Sequence, residues 1–287
     1  NGQIKTPILK HRSVIVCGNE NVGKTMFAKD QAVNILLAGG KVLFMCGENT
    51  RNKMYCEILI NYIYKKYQCF ILPQHINDID LCPDNVRKII RMAVAETVET
   101  KNLILRNVYS YESVYEELKS DYDKYQPDAY FIDHSFALSG GYNGDSGKQN
   151  VESLSVAIKE FRRQYPVYVM VLSHLSSTAR EAIAKGKPVE MFPTKGSQNL
   201  SADADDVFVL RDDATLRKEG LIALENTKRR DAGRVNNFII LKKMFEVSHF
   251  VYSDRYQTTE TTLSVEADSA LMHLENLYNS EGDEYTL

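Results

Sequence analysis

The sequence predicts an α/β fold: a largely parallel, twisted sheet flanked by helices, with an antiparallel hairpin at the C-terminal end. Short apolar runs alternate with longer helical patterns, the first run leads straight into a glycine-rich loop, and the last two runs flank a turn. The 287 residues are 44% hydrophobic and 25% charged, which is enough for a sizeable core. A disordered tail and a disulfide-stapled miniprotein are therefore excluded.

Six apolar runs rich in Val, Ile and Phe have the length of buried strands. They are Ser13 to Cys17, Val42 to Cys46, Asn102 to Arg106, Ala129 to Ile132, Val167 to Leu172 and Val207 to Leu210. Two later runs, Leu221 to Thr227 and Asn237 to Lys242, flank a turn and predict the terminal hairpin.

Five helical patterns lie between the strands and are expected to cover the sheet. They are Lys24 to Leu37, Asn52 to Tyr67, Pro83 to Thr97, Tyr111 to Tyr125 and Val151 to Gln164. In the last of these, apolar residues recur at helical spacing and fall on one face.

Charge is unevenly distributed along the chain. Lys and Arg number 35 against 38 Asp and Glu, and the net charge of −3 excludes a uniformly basic nucleic-acid binder. From Asp254 to Leu287, eight acidic residues and one Arg give a local charge of −7, which leaves +4 for the rest of the chain. We therefore expect a polyanion to bind to the part of the chain before Asp254 rather than to the acidic tail.

Cysteine spacing and hydropathy indicate the cellular compartment in which the protein is expected. The five cysteines form no CxxC pair, which favours reduced thiols in a cytoplasmic compartment. No apolar stretch approaches the roughly 20 residues needed to cross a bilayer, and no charged-then-apolar leader opens the chain. A soluble protein is expected. Because the first residue is Asn1 rather than Met, we expect that an upstream part was trimmed or left out.

The loop after the first strand, Gly18 to Thr25, satisfies the phosphate-binding pattern G-x-x-x-x-G-K-[ST] between a strand and a helix. Its backbone N–H groups, backed by the positive end of the helix, can surround a phosphate. Lys24 is expected to reach the β- and γ-phosphates, and Thr25 to ligate magnesium. The alternative is a glycine turn that happens to contain Lys and Thr. The predicted nucleotide-binding residues are Gly18, Asn19, Glu20, Asn21, Val22, Gly23, Lys24, Thr25 and Met26.

Three further candidates follow strands, so they should meet at the carboxyl edge of the sheet. Asp133 is expected to hold the metal, although an Asp there is often only a turn former. Glu48 could take a proton from the water that attacks the γ-phosphate, or be only an acid near a helix N-cap. His174 could sense the γ-phosphate, whereas a lone histidine is usually structural.

A long basic connection, Leu175 to Leu200, and a glycine-rich loop, Ser139 to Lys148, are candidate DNA contacts. Copies arranged around a ring would bring such loops together in a pore, where each lysine could contact a phosphate. The alternative is a solvated surface. The candidate DNA-binding residues are Lys148, Arg180, Lys185, Lys187, Lys195, Gly196 and Ser197.

The order of these motifs resembles the DnaB-like hexameric replicative helicases, and within them the helicase half of bacteriophage primase-helicases. The resemblance covers Ser13 to Phe250. Besides the phosphate loop it rests on Phe44-Met45-Cys46-Gly47-Glu48, Phe131-Ile132-Asp133-His134, Val171-Leu172-Ser173-His174-Leu175 and Lys195-Gly196-Ser197-Gln198-Asn199-Leu200. Bacterial members carry Gln at the position of His174, and the family has Arg and Gly where this chain has Lys195 and Gln198.

The segment Glu225 to Gly233 is similar to the Lys-x-Arg turn of that family, which reaches into the nucleotide site of the next subunit. The resemblance therefore implies that Lys228 and Arg230 stabilise transition-state charge across the subunit boundary. Arg229 is the alternative finger if the register slips by one. The ordinary interpretation is a basic hairpin tip exposed to water.

The resemblance implies a RecA-like ATPase core that works as a homo-oligomer, a hexamer in this family. It implies ATP or a dNTP with Mg²⁺, single-stranded DNA moved five-prime to three-prime, contacts with primase, polymerase or a loader, and no membrane. The implied parts are a linker or truncated connection over residues 1–12, the helicase ATPase domain over 13–252 and an acidic tail over 253–287. The implied location is the cytoplasm of a bacterial or phage-infected cell. Phe245 and Phe250 lie where the family packs a residue near the base.

Two other function classes would use a phosphate loop. A RecA-type strand-exchange filament would bind DNA without unwinding it processively; Lys228 and Arg230 favour the helicase over it. A nucleotide-switched scaffold would need no base for rapid turnover, and Glu48 argues against it.

Overall fold

The computed structural model describes residues 10–47, 49–107, 113–135, 145–187, 189, 193–195, 198–212, 214–230 and 238–253. The chain groups into two units, Asn1–Ser253 and Asp254–Leu287. The second unit, which contains the predicted acidic tail, lies outside the described residues, as does most of the predicted linker. The domain boundaries therefore stay predictions.

The described residues form one nine-stranded sheet in the order β3-β2-β4-β5-β1-β6-β7-β8-β9. The strands are β1 (Ser13–Gly18), β2 (Val42–Cys46), β3 (Leu103–Asn107), β4 (Ala129–Asp133), β5 (Tyr168–His174), β6 (Asp206–Arg211), β7 (Leu221–Arg229), β8 (Phe238–Met244) and β9 (His249–Tyr252). The pairs among β1 to β6 are parallel, and those from β6 to β9 are antiparallel. The predicted fold class is confirmed, and β9 extends the predicted hairpin by a strand.

Helices lie between the strands along the chain. They are α1 (Lys24–Leu37), α2 (Arg51–Tyr67), α3 (Pro73–Asn77), α4 (Asp84–Val94), α5 (Val114–Tyr125), α6 (Asp145–Gln164), α7 (Ser177–Ala184), α8 (Gln198–Asp203) and α9 (Ala214–Lys218). Short 3₁₀ turns cover Ile79–Leu81 and Phe245–Val247, and a π-turn, Ala95–Glu99, extends α4.

Two loop predictions were wrong in part. The connection from Leu175 to Leu200, which was treated as a long loop, contains α7, which begins where the Ser176 hydroxyl accepts a hydrogen bond from the Ala179 amide at 3.2 Å. The glycine-rich loop was expected to extend to Lys148, but α6 already begins at Asp145.

Alternate side chains of the strands pack on opposite faces of the sheet, as the two-residue period of a strand requires. In β1, Val14 and Val16 pack with residues of α1 and α2, whereas Ile15 and Cys17 pack with residues of α5 and α6. Both faces of the parallel region are thus buried, which explains the nearly continuous apolar character of its strands.

A hydrogen bond between side chains links the antiparallel end of the sheet to α1. The buried carboxylate of Asp30 lies 2.6 Å from Nδ1 of His249 on β9 and 2.8 Å from Nζ of Lys65 on α2. Burial alone would raise the pKa of Asp30, but the hydrogen bond with His249 and the charge of Lys65 bring it below its usual value. Among the described residues, no helix is both long and apolar enough to cross a membrane.

Candidate functional site

The loop between β1 and α1 has the backbone conformation that a phosphate cradle needs. Gly23 adopts φ = 114°, in the left-handed region, and precedes α1 without a side-chain cap on its amides. A Cβ at Gly18 would lie 2.6 Å from Val22 Cγ1 and 3.1 Å from the Leu210 carbonyl oxygen, so the close packing there requires glycine. The uncapped N–H groups at the start of α1 can bind an anion.

Lys24 folds back over this loop. Its Nζ donates hydrogen bonds to the carbonyl oxygens of Gly18 at 3.0 Å and Asn19 at 2.8 Å, and the side chain is buried. The ammonium is therefore held directly above the backbone that would surround a phosphate. In β1, just before the loop, burial raises the pKa of the Cys17 thiol to about 12, so this sulfur stays neutral at pH 7.

Thr25 and Asp133 meet, although they are distant in sequence. The Thr25 hydroxyl donates a hydrogen bond to Oδ2 of Asp133 at 2.9 Å, and Asp133 is buried at the end of β4. In the described part of the chain, no group of three or more His, Cys, Asp or Glu side chains could hold a metal ion. A hydroxyl and a carboxylate nevertheless fit Mg²⁺, which in nucleotide sites takes one or two protein ligands together with phosphate oxygens and water.

Burial, and then the negative charge of Asp133, raise the pKa of the Cys46 thiol to about 12. Cys46 pairs with Asp133 across β2 and β4, so the thiol next to the proposed metal carboxylate is neutral. It is therefore not a competing anionic ligand at pH 7.

His174 lies beside the start of the phosphate loop, because it pairs with Gly18 in the register of β5 and β1. Its ring packs edge to face with that of His134, with the ring centroids 4.9 Å apart. The peptide between Asp133 and His134 is cis. In the sequence, His134 is visible only as part of the motif that ends β4. Its contact with His174 depends on the pairing order of β4, β5 and β1, which no local pattern reveals.

Glu48 lies outside the described residues, so its predicted role as general base stays a prediction. The residue before it, Gly47, donates its N–H to the carbonyl oxygen of Asp133 at 2.6 Å. The chain that leads to Glu48 thus leaves β2 at the same edge as the metal candidate.

The predicted DNA-binding residues fall into three groups. Arg180, Lys185 and Lys187 are exposed on or just after α7. Lys195 is partly buried, and its backbone N–H donates to the carbonyl oxygen of His174 at 2.8 Å, next to an isolated bridge between Leu175 and Thr194. The third group lies outside what the structure describes, and it comprises Gly196, Ser197 and the side chain of Lys148.

The residues predicted to act on a neighbouring subunit lie at the amino edge of the sheet. Arg229, the last residue of β7, pairs with Asp206, the first residue of β6, whereas the phosphate loop follows the carboxyl end of β1. Neither Lys228 nor Arg230 is therefore near the phosphate loop of its own chain. Their predicted roles stay predictions.

Lys228 has a position that the sequence did not reveal. It is only 8% exposed, and its Nζ donates to the carbonyl oxygens of Ser201 at 3.0 Å, Ala202 at 2.5 Å and Ala204 at 2.7 Å. Burial, and then the charge of Arg230, lower the pKa of Lys228. Three carbonyls match the three protons of an ammonium, so Lys228 binds the C-terminal end of α8 within its own subunit.

Arg230 is more accessible. Its Nη1 lies 2.8 Å from Oδ1 of Asp205, and the side chain is 49% exposed. Oδ2 of Asp205 accepts a hydrogen bond from the backbone N–H of Ser13 at 2.8 Å and also pairs with Arg162 of α6. Asp205 thus holds the guanidinium of Arg230 at the surface of the amino edge. The acid before β6 is visible in the sequence, but its contacts are not.

The two phenylalanines assigned near the base by resemblance occupy different environments. Phe250 is buried against Phe27 of α1, with ring centroids 6.0 Å apart, whereas Phe245 is 66% exposed. A Cβ placed on Gly23 would lie 3.5 Å from Phe250 Cζ and 3.9 Å from Lys243 Cε. The wall beside the phosphate loop is thus formed by β8 and β9.

Residues 7–246 match the model of a protein family described as the DnaB-like helicase C terminal domain. The fold is similar to that of a solved "ATPase Domain of G40P", with a TM-score of 0.67 and 21% identity, over 85% of this chain and 86% of that one. It is also similar to a DnaB-like replicative helicase studied with its primase interactions, with a TM-score of 0.66 and 21% identity. That match covers 85% of this chain but only 58% of the other protein. No curated protein sequence matches the chain significantly.

Proposed function

Because this chain belongs to the DnaB-like helicase C-terminal domain family, we propose that it is the ATP-hydrolysing motor of a ring-shaped replicative DNA helicase. Family membership supports helicase function. The observation that carries the finer proposal is the division of the site: the phosphate loop lies at the carboxyl edge of the sheet, and Arg230 lies at the amino edge.

In this proposal the nucleotide binds at the carboxyl edge. The loop amides and Lys24 hold the phosphates, and Thr25 and Asp133 would hold Mg²⁺. When bound, Mg²⁺ neutralises part of the phosphate charge that develops during transfer. Glu48 is the proposed general base for the attacking water.

Arg230 supplies a cation to the nucleotide of the next subunit. Asp205 supports this role because it holds the guanidinium at the surface in a defined orientation, which lowers the cost of ordering it. A guanidinium aimed at the transferring phosphoryl group stabilises charge that forms in the transition state. Lys228 contributes by fixing α8 beside it.

His174 is proposed to report the state of the γ-phosphate to the DNA-binding segment. Its carbonyl oxygen accepts a hydrogen bond from the Lys195 amide, so a displacement at the end of β5 is passed directly to the segment that carries Lys195. In a hexameric ring, that segment and the exposed cations of α7 would contact the phosphates of one DNA strand. Travel five-prime to three-prime, and contacts with primase, are further parts of the proposal.

The test measures ATP hydrolysis with and without single-stranded DNA, together with unwinding of forked duplexes that carry a five-prime or a three-prime tail. We expect DNA to stimulate hydrolysis and the five-prime tail to support unwinding. Lys24→Ala should lower nucleotide affinity at least about tenfold, because it removes a charge-assisted contact to phosphate. If DNA does not stimulate hydrolysis, the proposal that the protein is a DNA motor is refuted. Stimulated hydrolysis without strand displacement would favour a RecA-type filament.

A further inference from the structure

Lys243 on β8 is a buried lysine beside the phosphate loop. It is only 9% exposed, and its Cε lies 3.9 Å from the point where a Cβ on Gly23 would stand. Phe250, its cross-strand partner on β9, faces the same glycine. The lysine stem and the phenyl ring therefore form the wall of the loop at the N-terminal end of α1.

Within the described part of the chain, no carboxylate forms a direct ion pair or hydrogen bond with the ammonium of Lys243. Its Nζ lies 5.8 Å from the centroid of the Phe245 ring. Asp212, the acid whose charge acts on Lys243, is bound by Arg217, whose Nε and Nη2 each lie 3.1 Å from a carboxylate oxygen. Burial accordingly lowers the pKa of Lys243.

The stem of Lys243 is buried, and among the described residues no carboxylate forms a hydrogen bond with its Nζ, so the ammonium can bind an anion that lies beside it. The adjoining phosphate loop identifies the chemical class of that anion as a nucleoside phosphate. Phe245, 66% exposed next to the ammonium, offers an apolar surface at the same place.

The order of the strands indicates which end of the nucleotide lies here. Asp133 on β4 and His174 on β5 are on one side of β1, whereas β6 and β8 are on the other side. The metal candidate and the sensor attract the γ-phosphate end to the β4 and β5 side. The α-phosphate end of the nucleotide therefore extends toward β8.

We propose that the ammonium of Lys243 binds the α-phosphate of the nucleotide held by the phosphate loop. This inference rests on the proposed nucleotide site and adds a second cation to it, at the end opposite His174. Because ADP and ATP share the α-phosphate, Lys243 contributes equally to the binding of both and does not act on the hydrolysis step.

The experiment measures the binding of a fluorescent ADP and of its non-hydrolysable triphosphate analogue to the full chain. Lys243→Met keeps the length of the side chain and removes the charge. It should weaken both nucleotides by about tenfold or more, the loss typical of a charge-assisted hydrogen bond, and leave kcat at saturating ATP unchanged. Lys243→Arg should restore part of the affinity. Lys242→Met is the matched control, since Lys242 is exposed on the opposite face of the same strand.

Thermal unfolding without nucleotide separates a binding role from a structural one. Lys243→Met should unfold at a temperature close to that of the original chain, because Met keeps the buried stem and no hydrogen bond of the ammonium to a described residue is lost. Wild-type affinity in Lys243→Met, or an equal loss in Lys242→Met, would overturn the inference. Weakened binding of the triphosphate alone would overturn the α-phosphate assignment. Absence of nucleotide binding in the unmutated chain would instead refute the proposed function.

Discussion

Replacement of Lys228 by Met tests whether its ammonium stabilises its own subunit. The variant loses three hydrogen bonds, to the carbonyl oxygens of Ser201, Ala202 and Ala204. A hydrogen bond to a charged group contributes about 1.5–3 kcal/mol, and the carbonyls of Ser201 and Ala204 belong to buried residues with no new donor at hand. Because the three bonds share one ammonium, and its desolvation opposes them, we expect a net loss of about 2–4 kcal/mol in the free energy of unfolding.

Urea unfolding followed by circular dichroism measures this loss. With a slope of about 1–3 kcal/mol per molar urea, the midpoint should fall by about 1 M or more. Arg229→Met is the control, since Arg229 is exposed on the same strand and its loss should change stability by no more than about 0.5 kcal/mol. An unchanged midpoint for Lys228→Met together with lost ATP hydrolysis would refute this reasoning, and would favour direct action on the next subunit.

Two further predictions concern the subunit boundary and the contacts of the Asp30 carboxylate on α1. Glu48→Gln should bind ATP without hydrolysing it, and Arg230→Ala should do the same; rings mixed from the two variants should regain some hydrolysis, because sites with both groups intact can then form. If mixed rings stay inactive over all ratios, Arg230 does not act across a boundary. The lowered pKa of Asp30, due to the hydrogen bond with His249 and the charge of Lys65 acting against burial, means that its carboxylate stabilises the fold above the pKa of the unfolded chain. This stabilisation is lost as the pH falls through the lowered value, so Asp30→Asn should be less stable at pH 7 and should lose less stability on acidification. Parallel acid-unfolding curves for Asp30→Asn and the original chain would contradict this account.

The elements predicted correctly from the sequence are those whose signals are local. Helix α1 runs from Lys24 to Leu37 as predicted, because the phosphate loop fixes its start. Strand β9 was missed: four residues are too few to show a period, and Phe250 keeps it in place through its contact with Phe27. Helix α7 has a local signal, the N-cap at Ser176, but this signal lies within a long basic connection and is followed by only eight helical residues.

In the candidate site, too, residues with a local signal can be predicted from the sequence, and residues placed by distant contacts cannot. A motif identifies Lys24 and Thr25, and a strand end identifies Asp133, because their spacing along the chain is what the chemistry needs. The burial of Lys228 and Lys243 cannot be inferred in this way, because their surroundings come from residues distant in sequence, brought close by the antiparallel strands. For a lysine on a strand, sequence alone favours the exposed interpretation.

The length of the parallel strands bears on whether catalysis occurs within one subunit or between two. Strand β1 has six residues of about 3.3 Å each, so the edges of the sheet lie about 20 Å apart. Arg230 at one edge therefore cannot complete the phosphate site at the other edge of the same chain. In the proposed function, the site is completed when the amino edge of one subunit meets the carboxyl edge of the next. Such a head-to-tail contact, when repeated, either closes into a ring or continues as a filament, so it is closure, and not the chemistry of the site, that separates a helicase from a strand-exchange protein.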